Sequence, residues 1–109
     1  MRQIQQKTKE NMLLILEVLQ RHGQLHIRGI QRMIEAEYNR KLNANTVNRI
    51  VEEYLLDYIQ ITDLIESVGV RLKFCKLNPI YVDMSRHEIV SNVVKKALDK
   101  HKMRKNIHR

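Results

Sequence analysis

The segment Leu42-Asn43-Ala44-Asn45-Thr46-Val47-Asn48-Arg49-Ile50-Val51 sets apolar side chains at Val47, Ile50 and Val51, and Tyr54 and Leu55 continue the series. That spacing of threes and fours marks one face of a helix, expected from about Ala44 to Leu56. Asn43 is suited to start it, because a short polar side chain can accept a bond from the free N–H groups of the first turn. The opposite side carries Asn45, Thr46, Asn48, Arg49, Glu52 and Glu53. From Asn39 to Val51 there is no acidic residue, although the whole chain has 12, and Arg40, Lys41 and Arg49 give the segment a local +3.

Working toward the N-terminus, Asn39-Arg40-Lys41-Leu42-Asn43 reads as a polar turn. Before it, Ile27, Ile30, Met33, Ile34 and Tyr38 mark a second amphipathic helix, with Gly29 inside it. Gln24-Leu25-His26 is a short link. A further helix spans about Lys9 to His22, with Thr8 as candidate cap, Gly23 as its stop, and Met12, Leu13, Ile15, Leu16 and Leu19 toward the core. Residues ahead of Thr8 can extend it backwards.

Toward the C-terminus the period drops to two residues. Val70, Leu72 and Phe74 alternate with Arg71, Lys73 and Cys75, which predicts a half-buried strand with Arg71 and Lys73 on the outer face. Ile59 to Ile65 is rich in β-branched residues, and a turn containing Gly69 joins the two runs into a hairpin closed by Asn78-Pro79. Ser85-Arg86-His87-Glu88 has the form of a capping box. It opens a last helix with Ile89, Val90, Val93, Val94, Ala97 and Leu98 along one side.

A chain of 109 residues has room for one core. Its net charge is +8, with 20 Lys plus Arg, which points to a polyanionic partner. The excess is uneven: Met1 to Val94 holds 13 basic and 11 acidic residues, whereas Lys95 to Arg109 holds 7 basic residues and only Asp99. Binding specificity must therefore come from local clusters. No run approaches the length of a membrane span, and the first residues lack a secretory pattern, so an intracellular protein is expected. The single cysteine, Cys75, reads as a strand thiol. His22 and His26 flank Gly23 and lack companions for a metal shell. No cofactor motif, effector pocket or catalytic constellation is expected.

Helix, helix, turn, helix and hairpin in that order is the layout of a winged helix-turn-helix domain. The Leu42–Val51 segment resembles the start of the recognition helix in many prokaryotic regulators of this superfamily, especially archaeal, archaeal-virus and plasmid ones. In these a small polar cap precedes a Thr-Val pair and an Arg. The resemblance covers roughly residues 9 to 78. Two features depart from it: the turn between the second and third helices is long and has no glycine, and none follows the third helix near Asp57-Tyr58.

The expected fold is thus mainly α with a small β-hairpin: a winged helix-turn-helix over residues 1–79, a C-terminal helix over 80–103 and a basic tail over 104–109. The resemblance implies a regulator that binds double-stranded DNA. Residue chemistry agrees, because Asn pairs bidentately with adenine and Arg with guanine in the major groove. Asn45, Thr46, Asn48 and Arg49 are the expected readers, with Arg40, Lys41 and Asn43 at the helix approach and Arg71 and Lys73 on the wing. Ile89, Val90, Val93, Val94, Ala97 and Leu98 are expected to pair two copies into a homodimer, the alternative being packing within one chain. The same fold could also organise DNA or plasmids with weak sequence preference, or serve as a protein-interaction module.

Overall fold

Gly23 (φ 79°) ends the first helix, α1 (Gln6–His22), as its position suggested, and its N–H bonds the Leu19 carbonyl. A computed structural model describes residues 4–65 and 71–107 of the chain. The helix starts earlier than Thr8, with Gln5 as its cap. Met12, Ile15, Leu16, Val18 and Leu19 are all buried, so α1 presents apolar groups over more than one side and forms the centre of the core. It packs against the second, third and fourth helices and the last strand.

Leu25–His26 forms a short strand, β1, where only a link was expected. His26 then caps α2 (Ile27–Tyr38), its Nδ1 accepting from the Gly29 N–H at 2.8 Å. Gly29 therefore sits in the first turn of α2, not in its interior, where a glycine is most costly. The left-handed turn that ends α2 is supplied by Asn39 (φ 51°), which donates its N–H to the Glu35 carbonyl. Asparagine enters this region at little cost, so no glycine is needed there.

The third helix, α3 (Ala44–Ile50), starts at the expected residue, with the Asn43 side chain accepting from the Thr46 N–H at 2.7 Å. It continues without a break as a π-helical segment, Val51–Leu55. Val47, Ile50, Val51 and Leu55 are buried, while Glu52 and Glu53 stay outside. Leu56 keeps a right-handed helical conformation as the chain leaves, and Tyr58 N–H closes the turn on the Leu55 carbonyl. A glycine is unnecessary here too.

The sheet is antiparallel, with β2 (Ile59–Ile65) and β3 (Arg71–Leu77) as the hairpin and β1 on the far edge of β3, in the order β1-β3-β2. In register, Ile59 faces Leu77, Ile61 faces Cys75 and Asp63 faces Lys73, while Leu25 pairs with Cys75. Ile59, Cys75 and Leu77 are buried. This corrects the expected strand faces, because successive side chains alternate and Lys73 shares its face with Cys75 and Leu77. Leu72 and Phe74 lie on the other face, where Phe74 meets the His26 ring edge-on at 5.6 Å. Burial pushes the Cys75 thiol up to about 11. The Gly69 turn, Val70 and Glu66 lie outside the described residues, as does the side chain of Arg71.

A 3-10 turn, Pro79–Tyr81, capped by Asn78, leads to α4 (Arg86–Ile107). Ser85 Oγ accepts from the Glu88 N–H at 3.1 Å, half of the expected capping box. The helix opens at the expected capping box, inside the 80–103 region, and continues past residue 103. Ile89, Val90 and Val93 are buried in the chain's own core, Val94 and Ala97 are partly covered, and Leu98 is 38% exposed. The stripe expected to join two copies is thus largely taken up by packing within one chain against α1. Among the described residues no helix is long and apolar enough to cross a membrane.

Candidate nucleic-acid interface

Asn45, Asn48 and Arg49 on α3 and Glu52 on its π-helical continuation share the polar side, linked by spacings of three and four. Asn45 and Arg49 are exposed, and Asn48 and Thr46 are half-buried. Lys41, just ahead of the helix, is exposed. Asn43 has a local duty instead, since its amide oxygen is committed to the first turn of α3.

Where the start of α2, the start of α3 and β3 converge, the surface sinks into a depression of about 430 Å³. Arg28, Arg32, Asn45, Asn48, Leu72 and Lys73 all border it, and among the described residues none of the lining groups is acidic. Arg28 and Arg32 are exposed and lie one turn apart on α2, a pair that sequence reasoning passed over. Their spacing of four on a polar helix face was the available signal. A second depression of about 280 Å³, beyond the end of α3, has Glu52, Glu53 and Asp57 on its walls, with Lys96 paired to Asp57. The acidic residues thus gather at one end of the third helix and the basic ones at the other.

Two residues assigned to phosphate contact are engaged elsewhere. Arg40 reaches back to α1, donating to Asn11 Oδ1 and to Glu10 Oε1, each at 3.0 Å. Asn11 is 5% exposed in an otherwise apolar helix face, and Arg40 satisfies its oxygen. The hydrogen bond from Arg40 also holds the Glu10 carboxyl below its ordinary range. Arg40 thus pins the α2–α3 turn to α1. Arg40→Ala is expected to lower stability by about 1–3 kcal/mol through the unpaired Asn11 oxygen, read as a shifted denaturant midpoint. A variant that unfolds at the wild-type midpoint would contradict this role.

Lys73, instead of projecting outward, donates to Asn48 Oδ1 at 2.7 Å and pairs with Glu52. Its ammonium ties β3 to α3 and compensates the carboxylate nearest the depression. Arg71 pairs with Ile65 at the last register position of the hairpin. Among the histidines, His22 bonds Glu37 at 2.9 Å while His26 caps α2. Among the described residues no group of three or more His, Cys, Asp or Glu is placed to hold a metal ion.

No protein-family model matches the chain, and no curated protein matches it.

Proposed function

We propose that the chain is a winged helix-turn-helix protein that binds double-stranded DNA and reads its sequence as a transcriptional regulator. The observation that carries this reading is the depression free of acidic lining, where Arg28 and Arg32 stand beside Asn45 and Asn48. Guanidinium groups suit phosphate oxygens, and amides suit base edges, so the two chemistries lie side by side as a duplex requires. The element order and the β1-β3-β2 sheet support the winged-helix assignment. In this reading the start of α3 enters the major groove, α2 crosses the backbone and the hairpin lies beside it. Glu52 and Glu53 confine the contact to the first turns of α3.

The proposal includes two copies on two half-sites. Their contact would use the end of the α4 stripe at Leu98, because Ile89, Val90 and Val93 are already covered. Selection of duplexes from a random pool, with the mass of the complex measured on the winning sequence, tests the reading. A defined sequence bound by two chains is expected. Arg49→Ala should then relax preference at one base pair by about 1–3 kcal/mol. Uniform weakening on all sequences would make Arg49 a phosphate contact, and enrichment of no sequence would point to a DNA organiser.

A further inference from the structure

Asn48 is expected from its residue type to pair with adenine through its oxygen and its NH2 group together. Its surroundings restrict that. An ammonium has three donors and no acceptor, so only the amide oxygen can face Lys73 Nζ. That oxygen lies 2.7 Å from Nζ, and Glu52, one helical turn further on, binds the same ammonium. Turning Oδ1 toward β3 turns Nδ2 away from it, since the two atoms sit on opposite branches of one planar group.

We propose that Lys73 sets which base Asn48 reads, by holding the amide oxygen inward so that the NH2 is the group offered to the groove. The inference rests on the DNA reading above. A donor pair matches guanine, whose O6 and N7 are adjacent acceptors. Adenine offers N7 as an acceptor but presents a donor at N6, so it loses the second bond of its usual pairing with asparagine. Cytosine shows a donor alone and is disfavoured. Lys73 is a positioning residue here: it acts on the base through Asn48 and fixes specificity more than affinity.

Base preference is the readout. Asn48→Ala identifies, by loss of preference, the base pair that Asn48 reads. Lys73→Met frees the amide to turn, and preference at that pair should move from guanine toward adenine by about fivefold or more. Because Lys73→Met also leaves Glu52 uncompensated, the double variant Lys73→Met with Glu52→Gln separates the change in preference from simple repulsion. The same shift is expected in both. In the DNA-free protein, the Asn48 side-chain NH2 should be rigid by 15N relaxation in the wild type and more mobile in Lys73→Met.

Unchanged guanine preference in both variants, adenine preferred by the wild type, or an equally mobile amide in wild type and variant would each overturn the assignment alone. A wild type that enriches no sequence overturns the DNA reading and this assignment with it.

Discussion

Ile89→Ala is expected to destabilise the protein by about 2–5 kcal/mol, the range for emptying a fully buried large aliphatic position. Ile89 is 0% exposed in the single chain, and its neighbours on the stripe, Val90 and Val93, are each 6% exposed. α4 therefore completes the core, lying on α1 as its fourth packing partner. Two consequences separate this role from pairing between chains. The loss should have the same size at every protein concentration, because the lost contacts lie within one chain. Thermal unfolding measured over a wide concentration range checks this, and a loss that disappears in dilute solution would show Ile89 buried between chains instead. Leu98→Ala, at a position already 38% exposed, should cost far less stability.

The double substitution Arg28→Ala with Arg32→Ala should weaken binding to every duplex alike, by roughly sixtyfold at about 0.1 M salt, and flatten the salt dependence by about 1.8 logarithmic units per decade. Each guanidinium that neutralises a phosphate releases close to one condensed counterion, and that release is strongest when salt is low. Both side chains are exposed, with no carboxylate partner among the described residues, so their loss should leave the fold intact. Base preference should be unchanged, in contrast to the expected effect of Arg49→Ala. A variant that keeps the wild-type salt slope would remove α2 from the contact.

The helices were legible from apolar spacing because each has one side in the core, and Asn43 and Gly23 set two of their ends by local chemistry. What was not legible depended on distant partners. Leu25 and His26 form a strand only because Cys75 and Phe74 lie alongside them. Arg40 looks like any basic residue before a polar helix, and its role rests on Asn11, 29 positions away in the chain. The strand faces were misread because polarity alone placed Lys73 outside. The better signal was parity: Ile59 and Ile61 oppose Leu77 and Cys75, and counting back from these puts Lys73 on the same face. A lysine is stable there because the hairpin meets the polar side of α3, where Asn48 and Glu52 receive its ammonium. Arg28 and Arg32 were missed for the opposite reason. They lie on α2, outside the acid-free run from Asn39 to Val51, and in the sequence only their spacing of four on a polar face marks them.

The net charge of +8 makes some attraction to any polyanion expected, so binding alone decides little. The decisive measurement is a titration of the wild-type chain against its selected duplex and a scrambled duplex, from about 50 to 200 mM salt. Tighter binding to the selected duplex by about a thousandfold or more is expected, with affinity for both falling steeply as salt rises. Equal affinity for the two duplexes across the whole range, or no binding at the lowest salt, would contradict it.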